Sequence, residues 1–216
     1  MTKISTNAGI SEVYSTKYSQ QASDQKIART VKGLESNGFK VYVVDDLKQL
    51  HDKVVQIIPE RSEIFTATSR TLDEAGLTEE LNSEKYISVR NMFMPLYGQE
   101  DKQNEMKRIG SASDYAIGSV HAITEDGQAV IASMSGSQLP NYAYGAKNFI
   151  WTVGSQKLVK DMNEAMDRIE NYTYHLEDER ALEAYGVNSS INKLLIYRKE
   201  PQGRGTVIII REAVGF

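Results

Sequence analysis

Helix-spaced and strand-like segments alternate along residues 18–82, and this order constrains the fold more than any other feature of the chain. From Tyr18 to Asn37 the apolar positions Ala22, Ile27, Ala28, Val31 and Leu34 keep helical spacing. Asn37-Gly38 ends that stretch as a C-cap does. Phe39 to Val44 reads as a buried strand, Asp45-Asp46 as the cap of a second helix carrying Leu47, Leu50, Val54, Val55 and Ile58, and Pro59 as its stop. Ser62 to Ala67 is a second strand, followed by a helix from Leu72 to Asn82. Such an order predicts an α/β protein in three layers, a mostly parallel sheet with crossover helices.

The second half adds antiparallel pieces. Asp114 to Ile123 and Gln128 to Ser133 flank Glu125-Asp126-Gly127 and read as a hairpin. Phe149 to Val153 is a further strand, and Gly154-Ser155-Gln156-Lys157 links it to a helix with Leu158, Met162, Ala165, Met166 and Ile169 on one face. Lys193 to Tyr197 and Thr206 to Ile210, joined through Pro201-Gln202-Gly203, are expected to pair antiparallel. With 216 residues and no linker or repeat, residues 18–216 are expected to form one domain and residues 1–17 a loose arm.

Composition narrows the function. There are 25 Lys+Arg against 29 Asp+Glu, a net charge of −4, which disfavours non-specific binding along a phosphate backbone and hence nucleic acid. The absence of cysteine excludes thiol catalysis, thiolate zinc and iron–sulfur clusters held by this chain. His51, His121 and His175 show no ligand spacing, so neither a metal nor another cofactor is expected here. Met1 to Asn7 contain no apolar run, and the longest aliphatic stretch is Val207 to Ile210. A cytoplasmic protein with no membrane contact is therefore expected.

In open α/β sheets ligands collect beyond the carboxyl ends of the strands. Three polar segments fall at such places. Thr68-Ser69-Arg70-Thr71 combines hydroxyls, backbone N–H groups and a guanidinium, which suits an anion; the same residues also serve as a helix cap. Ser135-Gly136-Ser137 lets backbone approach a ligand, or is a plain connection. Gly154-Ser155 with Lys157 gives a tight turn and a positive charge, or an ordinary βα loop. Glu125, beside Asp126, is the candidate acid or base, since neighbouring carboxylates raise one another's pKa; the alternative is a solvated turn.

Taken in order, Thr68 to Leu72 with Gly76-Leu77, Asp114 to Val120, Ala122 to Gly127, Leu139-Pro140, Val153 to Val159, and Asp161 with Glu164-Ala165 resemble the LUD domain. That family takes its name from lactate-utilisation proteins, protein C among them. The likeness runs over residues 18–200, and Asp126-Gly127 stands where the family usually has Thr-Gly after the glutamate. The segments from Leu176 to Lys193 resemble a short single-domain branch. The resemblance implies a fold like that of CoA transferases and ribose-phosphate isomerase. It implies a link to oxidation of lactate or another small organic acid, with clusters carried by iron–sulfur partner subunits. The matching site segments are Glu125, the Ser69 loop and the Gly154 turn. Three roles follow as expectations: an accessory subunit binding a small anionic metabolite, an enzyme using Glu125 as base or acyl acceptor, or a scaffold for cluster-bearing partners. A homodimer is the base-rate expectation for a soluble protein.

Overall fold

The computed structural model describes residues 10–200 and 203–216. In chain order the helices are α1 (Glu12–Ser19), α2 (Asp24–Ser36), α3 (Leu47–Ile57), α4 (Arg70–Glu74), α5 (Leu77–Leu81), α6 (Val89–Phe93), α7 (Gln103–Ile109), α8 (Met162–Arg168) and α9 (Tyr174–Tyr185). The strands are β1 (Lys40–Val44), β2 (Glu63–Thr66), β3 (Ile87–Ser88), β4 (Ser113–Gly118), β5 (Ala122–Thr124), β6 (Ala129–Ser133), β7 (Ala146–Gly154), β8 (Leu158–Val159), β9 (Lys193–Tyr197) and β10 (Gly205–Ile210).

Six strands form an all-parallel sheet in the order β1-β10-β7-β4-β2-β3, and four form a mixed sheet in the order β8-β5-β6-β9. The α/β expectation is met. One face of the large sheet, Ile64, Ile117, Ile150, Ile208 and Ile210, packs on Leu50 and Val54 of α3 and on Leu72, Leu77 and Leu81 of α4 and α5. The other face, with Phe65, Ala116, Phe149 and Trp151, meets Ile27 and Leu34 of α2 and the inner face of the small sheet, Ile123, Ala129 and Ile131. The outer face of the small sheet is covered by α1, α8, the helical turn 169–173 and α9 through Tyr18, Ala165, Tyr172 and Leu176.

Several expectations change. The arm is helical from Glu12 onward, with Tyr18 buried against the outer helices, while residues 1–9 lie outside the described part. The helix expected from Tyr18 to Asn37 is two helices, because Gln20 is extended (ψ 138°) and Ser23 caps α2 by accepting from the Lys26 N–H. Gly76, at φ +69°, likewise divides the stretch from Leu72 to Asn82 into α4 and α5. The run from Asp114 to Ile123 is not one strand. It leaves the large sheet at Gly118 and enters the small one at Ala122, which carries the chain from one layer to the next.

The last two strands do not pair with each other. β10 lies between β1 and β7 and is buried along its length, as a central parallel strand must be. β9 runs antiparallel to β6 at the edge of the small sheet, with Leu194 and Ile196 half exposed. Pro201 and Gln202 of the proposed turn lie outside the described residues.

The two layers are pinned where α2 crosses the turn between β5 and β6. A β-carbon at Gly33 would stand 2.6 Å from the Glu125 carbonyl oxygen, so only glycine permits this approach. Asn37 donates from its side-chain amide to the carbonyls of Asp126 and Gly127 at 2.9 and 3.0 Å, which fixes the turn.

Candidate functional site: two buried cations at the crossing between the sheets

The chain segment Ser119–His121 crosses from the large sheet to the small one, and a buried cation lies at each end of it. Ser119 follows the carboxyl end of β4. Its hydroxyl donates to the Thr152 carbonyl at 2.7 Å and accepts from the Lys157 Nζ at 2.9 Å. Lys157 is only 2% exposed, and among the described residues this is its one hydrogen bond, with no carboxylate within ion-pairing distance. Burial pushes its ammonium down to about 7, the nearby Arg168 charge acts in the same direction, and Glu74 opposes them.

Arg168 closes α8 and is fully buried. Its Nη1 donates to the His121 carbonyl at 2.5 Å and to the Thr173 hydroxyl at 2.6 Å. Its Nε and Nη2 have no partner among the described residues. The rings of Tyr172 and Tyr18 lie 5.4 and 6.0 Å from its guanidinium carbon and stabilise the charge through their faces. His121 is not a third cation. Its Nδ1 accepts from the Ala132 N–H at 3.1 Å, and burial together with Lys157 and Arg168 holds its pKa down.

The segment 211–216 lies across this site. The Ser155 hydroxyl donates to the Arg211 carbonyl at 2.6 Å, and the Ser155 N–H to the Glu212 carbonyl at 3.2 Å. The Gln156 amide donates to the carbonyls of Val214 and Gly215 at 2.9 and 3.0 Å. Gly215 has φ +60°, and a β-carbon there would stand 2.4 Å from the Thr71 Oγ1 and 3.4 Å from the Lys157 Nζ. Its bare backbone is thus what lets both groups pack against this residue. Thr71 Oγ1 and Gln156 Oε1 are buried without a partner among the described residues. A polar depression of about 230 Å³, lined by Tyr18, Lys26, Ser155 and Gln156 among others, opens beside the residues that flank Lys157. A wider depression of about 630 Å³, with Glu63, Arg108 and Tyr144 on its walls, lies at the opposite, amino ends of the large-sheet strands. None of its lining residues is a buried cation.

Of the residues singled out in the sequence, Thr71, Gly154, Ser155 and Lys157 come together here. Ser69 is buried beside them as the cap of α4, accepting from the Leu72 N–H at 3.5 Å. Thr68 and Arg70 are exposed at the rim. Gly154 has φ −64°, so it is not needed for a tight turn. It is needed because a β-carbon would stand 2.6 Å from the Val214 carbonyl oxygen.

Ser135, Gly136 and Ser137 do not join the site. They follow β6 in the small sheet, where Ser135 and Ser137 bond each other and Gly136 lies against the Lys193 side chain. Glu125 is also elsewhere, beyond the far end of β5 from Ser119. It forms a two-point ion pair with Arg29, whose Nη2 lies 3.2 Å from its Oε1. The Arg29 guanidinium lowers the Glu125 pKa, the reverse of what a carboxylate pair with Asp126 predicts. Asp126 instead turns to Thr124 and Gln128. Glu125→Gln is therefore expected to leave anion binding by the protein unchanged in a thermal-shift titration; loss of binding would place Glu125 in the site after all.

Ser119 and Arg168 are not among the residues that the sequence points to, and Gln156 enters only as part of the Gly154–Lys157 segment. Arg168 had a signal: it stands three residues after Ala165 on the apolar side of its helix, an unusual position for a charge.

The order of these segments agrees with a family model, the LUD domain, which matches residues 27–209. The chain belongs to the LUD-domain family. Its fold is also similar to the crystal structure of a DUF162 family protein from Deinococcus radiodurans, with a TM-score of 0.52 and 11% identity over 86% of this chain and 96% of that one. At that identity the likeness shows the fold of the LUD domain alone. No curated protein matches the chain. Among the described residues of this LUD domain no helix is long and apolar enough to cross a membrane.

Proposed function

We propose that this LUD domain binds a small anionic metabolite, a carboxylate or phosphate, beside Lys157 at the carboxyl ends of β4 and β7. In this reading it serves small organic-acid metabolism as a metabolite-binding accessory subunit. One observation carries the reading: Lys157 and Arg168 are both buried, and neither has a carboxylate partner among the described residues. Buried charges are costly unless paired, and an anionic ligand supplies the missing partner. The unpartnered Thr71 hydroxyl adds a donor, and the depression beside Ser155 and Gln156 offers access.

The test is a thermal-shift series with phosphate, lactate, pyruvate, sugar phosphates and CoA thioesters. A ligand at about 100 times its dissociation constant adds roughly 2.7 kcal/mol to stability. The expected result is a selective rise with one anion class in the wild type that Lys157→Met abolishes. A flat response across the series, or a response that Lys157→Met retains in full, overturns the reading.

A further inference from the structure

We propose that Lys157 is an amine nucleophile and that the anion accepted here also carries an aldehyde or ketone, which Lys157 captures as an imine. The inference rests on the anion-binding reading and adds the class of ligand. Its basis is the way the amine is held. Ser119 uses its hydroxyl proton on the Thr152 carbonyl, so toward Lys157 it acts as an acceptor. It therefore orients one N–H of Nζ and leaves the rest of the nitrogen on the side where the Gly215 backbone packs close. The Thr71 hydroxyl packs against the same backbone and has no hydrogen-bond partner among the described residues.

An ion-paired lysine has no free electron pair to offer, but among the described residues no carboxylate lies within ion-pairing distance of Lys157, and Glu74, held on the Gly215 N–H, acts on it only from farther off. Burial and the Arg168 charge together keep much of the group as free amine near neutrality. Arg168 keeps two donors without a partner among the described residues, and its charge, near enough to act on Lys157, attracts the acid group of the incoming molecule.

The step balances without a further reagent. The Nζ lone pair attacks the carbonyl carbon, and the π electrons move to oxygen, giving a carbinolamine once a proton passes from nitrogen to oxygen. Thr71 is placed to relay that proton. Loss of the hydroxyl as water, with the second N–H proton, leaves the C=N bond. Ligand and lysine become imine plus water, with no change of oxidation state.

The native protein is treated with glyoxylate and cyanoborohydride near neutral pH, and the modified lysines are located by peptide mass mapping. Hydride reduction of the imine leaves a carboxymethyl group on nitrogen. The free-amine fraction of a lysine titrating near 7 exceeds that of an ordinary one by roughly a thousand-fold at neutrality. Even after the loss due to restricted access, Lys157 is expected to be modified about ten-fold or more faster than exposed Lys40 and Lys147, and inorganic phosphate is expected to slow its modification. Phosphate binding retained with Lys157 unmodified, while Lys40 and Lys147 react, overturns the imine and leaves the anion reading standing. Absence of both phosphate binding and Lys157 modification removes both.

Discussion

Replacing Lys157 by methionine makes the protein more stable than the wild type at about pH 6, and the advantage fades as the pH approaches about 10. The sign follows from the direction of the shift. The folded-state pKa of Lys157 is about 7, below its ordinary value of 10.5. Between these two values the unfolded chain binds more protons than the folded one, so wild-type stability rises with pH across that window. Below it both states are protonated, and the whole penalty of enclosing an ammonium is felt.

Each pH unit between the two pKa values is worth about 1.4 kcal/mol, so the advantage at low pH is on the order of a few kcal/mol. Methionine has a similar stem, fills the same space and introduces no charge. Ser119 keeps its bond to the Thr152 carbonyl in the variant. Urea unfolding of both proteins across this pH range checks the expectation. Tyrosines and carboxylates titrate alike in the two, so the difference between them isolates Lys157. Parallel pH profiles would show that Lys157 is paired in solution.

The second large effect is expected at Gly154. Alanine adopts its φ of −64° without strain, so the whole cost comes from the β-carbon meeting the Gln156 side chain and the Val214 backbone. Overpacking of this kind costs about 1–3 kcal/mol. The atoms that must yield are the Gln156 side-chain oxygen and the backbone of segment 211–216, which Gln156 itself holds, so the damage is local as well as global. The amide of Ser155, bonded to the Glu212 carbonyl, is expected to lose protection from hydrogen exchange, whereas amides in the centre of β7 keep theirs relative to global stability. Unchanged protection at Ser155 would mean that the segment does not lie on Gly154 in solution.

The alternation of elements up to β2 and α4 was legible because each helix carries an apolar stripe and each strand a short apolar run. The pairing of the last strands was not, although a clue was present. Val207–Ile210 is continuously aliphatic, as a strand covered on both faces must be, whereas Lys193–Tyr197 ends on a half-exposed edge. Two strands so different in coverage do not belong side by side.

For the site, Thr71, Gly154, Ser155 and Lys157 were visible because they stand at strand ends. Ser119 was hidden inside a run that looked like one strand but changes sheets. Arg168 was concealed in a helix, and segment 211–216 has no periodicity that would announce where it lies. Its role depends on distant backbone atoms meeting Gly154 and Gln156, which no local pattern encodes. The Ser135 loop looked equivalent to the other two only while all strands were assigned to one sheet.

The most direct measurement is an NMR titration of the Lys157 side chain, with its resonance assigned by comparison with Lys157→Met, in the absence and presence of inorganic phosphate. A buried, unpaired amine titrates near 7, and a bound anion favours its charged form, so phosphate moves the midpoint upward. A midpoint near that of exposed lysines, or one that saturating phosphate leaves in place, would contradict an anion site at Lys157.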